Sequence, residues 1–286
     1  MTKAQSTDFP ELSHTSLRGI KVHNDTLYAA SYPGIYQGPL DNLGPGTFIV
    51  PEQGLYYDLY RDGEFLWTSS HRVYGYHLKR GEIISQFEQP QGFMAAWSML
   101  RTQTGHFLFG SQDGIYYLDE KESLLRPLVG GEDLFETMVF QLLEKDDGEI
   151  WAATNQGIFI LQNHEKVDSI FLKAKCWKGA EGKYQLPAKS FHHIHQDKQN
   201  PDVHWLATAG EGLIKWNHKT GEKHRLTRSD GLASNVLYAI LEDNHGHLWI
   251  SSNYGLMRFT KETGAVKTYT EKDGITHHEC NRISSF

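Results

Sequence analysis

Apolar and polar residues alternate along this chain in short runs rich in Trp, Tyr, Ile, Val and Thr, the period-2 pattern of half-buried strands. No segment carries the i, i+3, i+4 apolar spacing of a helix over ten or more residues, which excludes a helical solenoid. One phrase recurs six times: an apolar or aromatic pair, small polar residues, a glycine, then a further apolar strand. It reads LeuTyrAlaAlaSerTyrProGlyIleTyr at 27–36, LeuTrpThrSerSerHisArgValTyrGlyTyr at 66–76 and PheLeuPheGlySerGlnAspGlyIleTyr at 107–116. It returns as IleTrpAlaAlaThrAsnGlnGlyIlePhe at 150–159, HisTrpLeuAlaThrAlaGlyGluGlyLeuIle at 204–214 and LeuTrpIleSerSerAsnTyrGlyLeuMet at 248–257.

With Tyr28, Trp67, Leu108, Trp151, Trp205 and Trp249 as equivalent anchors, the intervals are 39, 41, 43, 54 and 44 residues. Gly34, Gly114, Gly157 and Gly255 each follow their anchor by six residues, where a tight connection between two strands calls for positive φ. The second repeat has Val73 at that offset, and Gly212 arrives one residue late in the fifth. Each unit adds a strand before the anchor and another after the glycine, with turn residues such as AspAsnHisGlyHis ahead of Trp249. Four short strands at this period predict an all-β fold: a β-propeller of four-stranded blades, each sheet covered on both faces by its neighbours.

AspGlyLeuAlaSerAsnVal at 230–236 opens the sixth unit, and AspGlyIleThrHisHisGlu at 273–279 repeats that opening 43 residues later. The expectation is a single domain over 1–286, six complete blades plus the first strand of a seventh, truncated within the seventh blade, with the N-terminal segment as a source of one strand to close the ring. The long fourth interval carries its excess in 173–185, read as a surface loop.

The 286 residues, 39% hydrophobic, can bury a substantial core. A net charge of −7 with no continuous basic face argues against nucleic acid as a partner. Cys176 and Cys280 form neither a CxxC pair nor a disulfide framework. No apolar run approaches the roughly 20 residues of a membrane span, so no membrane contact is expected from this segment. Phosphate-cradling, nucleophile-elbow, HExxH and kinase signatures are absent, and no cofactor is expected.

A propeller gathers the turns between its second and third strands onto one face, where ligands bind. Those turns supply the candidate ligand-binding residues Tyr32, Arg72, Gln112, Asn155, Gln156, Glu211, Asn253 and Tyr254, with His71 and Asp113 beside them. Amides, acids and an arginine can hydrogen-bond sugar hydroxyls while tyrosine faces stack on the ring. Against this, Asn, Asp and Gln are ordinary turn residues. His193 and His195 fall on one face of a first strand at a spacing two metal ligands could use, with no third ligand in view. HisHisGlu at 277–279 is a second dense spot.

The sixth unit, from AspGlyLeuAlaSerAsnVal through LeuTrpIleSerSerAsnTyrGlyLeuMetArgPhe at 230–259, resembles the two-component regulator propeller repeat. The likeness is recognisable around Trp151 and Trp205 and weaker in the first two units. What it implies is the periplasmic sensor region of a membrane-bound signalling protein, commonly a hybrid histidine kinase, whose ligand is often a carbohydrate fragment. Kinase activity would belong to a part outside this chain, which by itself is expected not to be an enzyme, and pairing into a homodimer would run through the full-length protein. Two other readings stand beside it: a propeller enzyme of the lyase type, using histidines with Glu211 or Glu279, and a protein-interaction platform.

Overall fold

The computed structural model describes residues 17–32, 34–40, 46–49, 54–128, 136–163, 172–176, 185–275 and 279–280. They form six antiparallel sheets, each of four strands in chain order. The first holds β1 (Ile20–His23), β2 (Thr26–Ala30), β3 (Ile35–Pro39) and β4 (Thr47–Ile49). The second holds β5 (Leu59–Asp62), β6 (Phe65–Ser69), β7 (Val73–His77) and β8 (Glu82–Gln86). The third holds β9 (Ala96–Arg101), β10 (Phe107–Ser111), β11 (Gly114–Asp119) and β12 (Leu124–Pro127). The fourth holds β13 (Val139–Glu144), β14 (Ile150–Thr154), β15 (Gly157–Asn163) and β16 (Leu172–Cys176). The fifth holds β17 (Phe191–Gln196), β18 (Val203–Thr208), β19 (Leu213–Asn217) and β20 (Lys223–Leu226). The sixth holds β21 (Leu237–Glu242), β22 (His247–Ser252), β23 (Leu256–Thr260) and β24 (Val266–Tyr269). These are the blades of an all-β propeller, and no α-helix occurs among the described residues.

All six anchors sit in the second strand of their sheets. Tyr28, Trp67, Leu108, Trp151 and Trp205 are buried, and Trp249 stacks on Tyr269 at 5.5 Å and 25°. Large apolar side chains on both faces of a sheet must be covered by the next sheet, and the cores run from one sheet to the next accordingly. Trp67 and Val73 pack with Phe107, Phe109 and Leu118 between the second and third sheets. Leu108 and Ile115 pack with Val139, Ile150 and Phe159 between the third and fourth. Trp205 and Leu213 pack with Leu237, Ile250 and Phe259 between the fifth and sixth.

The chain divides into two compact units, one centred on the first four sheets and the other on the last two, with residues 153–158 of the fourth sheet grouped with the latter. In the first unit β1, β5, β9 and β13 lie successively against one another. A row of ring contacts runs along their starts: the Arg18 guanidinium lies 5.1 Å from the Tyr57 ring, Tyr57 lies 6.4 Å from Trp97 at a tilt of 44°, and Trp97 stacks on Phe140 at 5.7 Å and 12°. Side chains also bond one first strand to the next. The Met99 amide donates to Asp58 Oδ2 (3.1 Å) and the Leu142 amide to Ser98 Oγ (2.9 Å). In the second unit His192 Nδ1 donates to the Leu237 carbonyl (2.7 Å).

The repeated AspGly opening has a physical basis. Residues 228–230 and 271–273 are 3₁₀ turns entered from Thr227 and Thr270, whose backbone amides donate to Asp230 and Asp273 (2.8 and 2.9 Å). Gly231 and Gly274 close them at φ 101° and 97°, a conformation that other residues rarely adopt. The seventh unit's opening turn is thus a copy of the sixth's, and its proposed strand lies outside the described residues. The surface loop expected at 173–185 needs correction. Its first part, in β16, is the fourth strand of its sheet, with Phe159 opposite Cys176 and Leu161 opposite Ala174. LeuLysAlaLysCys alternates apolar with charged, a two-residue period that suits an edge strand. The remainder, 177–184, lies outside the described residues.

Candidate functional site

Every candidate ligand residue falls where the sequence placed it, in the connection between the second and third strands of its sheet. What the sequence reading missed is the device that shapes these connections. The small polar residue three positions after the anchor turns its hydroxyl back across the turn. Ser31 Oγ donates to the Gly34 carbonyl (2.9 Å), Thr154 Oγ1 to Gly157 (2.8 Å), Thr208 Oγ1 to Gly212 (2.7 Å) and Ser252 Oγ to Gly255 (2.9 Å). The same oxygen accepts the amide of Gln156, Glu211 or Tyr254 (2.9–3.1 Å). Both capacities of a hydroxyl are used, so the turn has one shape and its side chains leave from fixed points. The recurrent Ser or Thr in the phrase was the available signal.

In the third sheet this device is absent. Ser111 Oγ is buried without a hydrogen-bond partner, as is Asp113 Oδ1. Asp113 Oδ2 accepts from the Tyr116 hydroxyl (2.8 Å), and burial, then Asp113, raises that phenol's pKa.

The first unit carries Tyr32, Arg72 and Gln112. Tyr32 is half exposed at 50%, and the Gln112 amide is directed at Met94 Sδ (2.6 Å). Arg72 borders an open depression of about 610 Å³ together with Phe87, Glu88, Gln89 and Pro90. In the second unit Glu211 borders another, of about 460 Å³, with Lys189, Ala209 and the Leu186–Ser190 approach to β17. Glu211 also accepts from Arg225 Nη1 (2.6 Å). Asn253 is held by a short bond to Ser234 Oγ, while Tyr254 projects 52% exposed. Asn155 and Gln156 are half-buried in the β14–β15 turn. The structure therefore puts Arg72 and Glu211 at depressions, each within its own unit, and gives Asn253 a turn-fixing role.

The histidine candidates resolve differently. A bulge between Phe191 and His193 disturbs the start of β17. Desolvation, and after it His195, pulls the His193 imidazole down to about 3, so it is neutral at ordinary pH. His195 Nε2 lies 3.0 Å from Glu242 Oε2, at the end of the sheets opposite the second-to-third turns. Glu242 accepts from Lys261 Nζ (2.7 Å) and the Lys198 amide (3.1 Å) as well, and Lys261 also reaches Asp197 Oδ2 (2.9 Å). Asp197 Oδ2 in turn accepts the indole N–H of the anchor Trp205 (2.9 Å). Asp243 and Glu149 hold Trp249 and Trp151 in the same way (2.9 and 2.6 Å). This end of the sheets is a structural clasp. No group of three metal-ligating side chains occurs among the described residues, and His277 and His278 lie outside them.

Residues 231–254 match the sequence model of the family described as "Two component regulator propeller". A curated relative, "Histidine kinase P4" of Formosa agariphila, is 26% identical over 153 residues, covering 46% of this chain. The chain spans 11% of that relative's length. Among solved structures, the extracellular domain of a hybrid two-component system from B. thetaiotaomicron matches at TM-score 0.63 and 16% identity, over 92% of this chain and 42% of that one. Virginiamycin B lyase from Staphylococcus aureus matches at TM-score 0.67 and 16% identity, over 89% of this chain and 84% of that one. At such identities the two structures speak to fold alone. The chain carries the two-component regulator propeller repeat, set in a propeller fold that it shares with the extracellular domain of a hybrid two-component system.

Proposed function

We propose that this chain is the ligand-sensing propeller of a membrane-bound two-component signalling protein, and that it binds a small carbohydrate-like ligand on the face formed by its second-to-third turns. The observation that carries the reading is the regulator propeller repeat at 231–254. It is supported by open depressions of about 610 and 460 Å³, each bordered by a turn residue, Arg72 or Glu211. Volumes of that order suit small ligands. The likeness to a histidine kinase over part of the chain supports an output domain elsewhere in the protein. That to an extracellular domain supports a periplasmic location. Among the described residues no helix is long and apolar enough to cross a membrane.

In this reading the chain binds and does not turn over its ligand. A lyase-type site would need histidine and glutamate converging beside a depression. Among the described residues the pair that meets, His195 and Glu242, lies at the other end of the sheets with Glu242 engaged by Lys261 and Lys198. Ligand would act by favouring one arrangement of paired sensor regions in the full-length protein, since a ligand shifts an equilibrium only by its differential affinity for the two states. The test is a thermal-shift screen of the chain against neutral and acidic oligosaccharides, followed by chromatography of the recovered compound. A raised melting temperature with the compound intact is expected, about 2.7 kcal/mol of stabilisation at a hundredfold excess over Kd. A stabilising compound that is consumed would move the enzyme reading ahead.

A further inference from the structure

We infer that the depression beside Arg72 selects an acidic sugar, with the guanidinium taking the carboxylate of a uronate and Phe87 and Pro90 taking the apolar face of the ring. This rests on the ligand-sensing reading above and adds to it the class of ligand.

The first observation is charge. Of the six second-to-third connections, only that of the second sheet contains Arg or Lys. Arg72 is exposed, and its guanidinium makes no hydrogen bond or ion pair among the described residues. Elsewhere in this unit the half-buried Arg101 pairs with Asp62 and Glu120 (3.0 and 2.7 Å) and the half-buried Arg126 with Asp119 (2.9 Å), while the exposed Arg61 and Arg80 lie outside the second-to-third connections. In a chain of net charge −7, this arginine brings a positive group to the depression, with Glu88 as the one carboxylate of its lining.

The second observation is that this arginine is braced. The turn is closed by the Ser70 amide donating to the Arg72 carbonyl (2.9 Å), and Ser70 Oγ bonds His71 Nδ1 (3.1 Å). Gln89, with its carboxamide oriented to satisfy both atoms, donates to the His71 carbonyl (2.7 Å) and accepts from the Val73 amide (2.8 Å). One side chain from the facing connector thus holds the backbone on both sides of Arg72. The connector is held in turn: the Glu88 amide donates to the Ser123 carbonyl (3.1 Å) and its carbonyl accepts from the Leu125 amide (2.9 Å). Such preorganisation lowers the ordering cost of binding.

The third observation is the wall. Phe87 stacks on the anchor Trp67 (5.5 Å, 21°) and is fixed by it, and it lines the depression with Pro90. A sugar ring offers a C–H face to such a surface and hydroxyls to Glu88 at the rim. A planar carboxylate is the group that Arg matches with two parallel bonds, where Lys offers a point charge.

The test is isothermal titration of the 286-residue chain with glucuronate, glucose, sulfate and phosphate, together with a neutral oligosaccharide panel, for wild type and for Arg72→Ala, Arg72→Lys and Gln89→Leu. Glucuronate is expected to bind wild type and glucose not. Arg72→Ala should lower glucuronate affinity about 10- to 100-fold, the loss of a charged hydrogen-bonding group. Arg72→Lys should fall between, and Gln89→Leu should weaken binding with the charge intact. Melting of the unliganded Arg72→Ala variant reports its fold, which an exposed, unpaired side chain leaves unchanged. Sulfate or phosphate binding as tightly as glucuronate would overturn the uronate class in favour of a bare anion site. Glucose binding equally to wild type and Arg72→Ala, or no glucuronate binding beside a bound neutral sugar, would overturn this inference and leave the sensing reading standing. Silence across all the sugars would bring down both.

Discussion

The clasp between the fifth and sixth sheets makes the most exacting test of the packing. Lys261 presents 7% of its side chain to solvent, Glu242 1% and Asp197 8%. The ammonium lies 2.7 Å from Glu242 Oε1 and 2.9 Å from Asp197 Oδ2. Lys261→Met keeps the stem and removes the charge, leaving two buried carboxylates to face each other. Breaking a buried pair on one side costs about 3–5 kcal/mol, because the remaining charge has lost its compensation. For a domain of 150–250 residues each kcal/mol moves Tm by about 2–4 °C, so a fall of about 6–20 °C is expected in a melt followed by tryptophan fluorescence. Lys261→Met with Glu242→Gln should recover part of that, since the second change removes a charge the first left stranded.

The pH dependence of the gap between wild type and Lys261→Met follows in sign. Burial opposes the charged forms of Asp197 and Glu242, but the donors outweigh it: Trp205 and Lys261 at the one, Lys261 and His195 at the other. Both carboxyls are held low, so their contribution is present above the unfolded values of about 3.9 and 4.3 and is lost as pH falls through the folded ones. Burial likewise opposes the Lys261 charge, and Glu242 and Asp197 raise its pKa regardless. That contribution is present below about 10.4 and is lost as pH rises through the folded value. The gap should close as the stranded carboxyls of the variant take up protons at low pH, and again as the Lys261 ammonium of wild type loses its proton at high pH. A loss under about 1 kcal/mol at pH 7 would mean the pair only offsets its own desolvation, and the reasoning fails.

Three further outcomes are expected. Thr208→Val and Thr154→Val each strand a glycine carbonyl and an amide of a second-to-third turn, costing about 1 kcal/mol apiece in urea melts, and the two should add because they lie in different sheets. Gly212→Ala should destabilise by more than the roughly 1–2 kcal/mol of a left-handed residue, because its Cβ would run into the Leu226 carbonyl, while Gly63→Ala, at φ 58° with open space around it, stays within that cost. His193, with a folded value of about 3, should keep a neutral ring in an NMR titration down to pH 4; its contribution is present above the unfolded value of about 6.5 and lost as pH falls below it.

The propeller was legible because its repeat is covalent information: an anchor, a small hydroxyl residue and a glycine at fixed offsets, six times over. Trp151, Trp205 and Trp249 could be aligned without a structure since each has an indole N–H to satisfy, and the first two are buried as well. The carboxylates that satisfy them were hidden by their irregular spacing. Glu149 lies two residues before its tryptophan, Asp243 six and Asp197 eight, so no fixed pattern links them, and only the folded turn brings them together. The strand at 172–176 was missed for a related reason, its short alternation being buried in an insertion that breaks the period.

The candidate site shows where such reading stops. Periodicity finds what every repeat shares, and a ligand discriminates by what one repeat has alone. Arg72 could be named because it sits in a repeated turn. Gln89, which braces it, and Phe87, which walls the depression, lie in a connector that copies no other. Ser111 makes the same point from the other side: it occupies the repeated hydroxyl position, yet its oxygen lacks the bond that Ser31, Thr154, Thr208 and Ser252 make. A repeat protein builds the same scaffold in each unit, so departures such as these are the places where a ligand could tell one unit from another. The second and third sheets, which hold Arg72, the 87–90 connector and the Ser111 turn, are therefore where substitution should change ligand response while leaving the melting of the sixth sheet untouched.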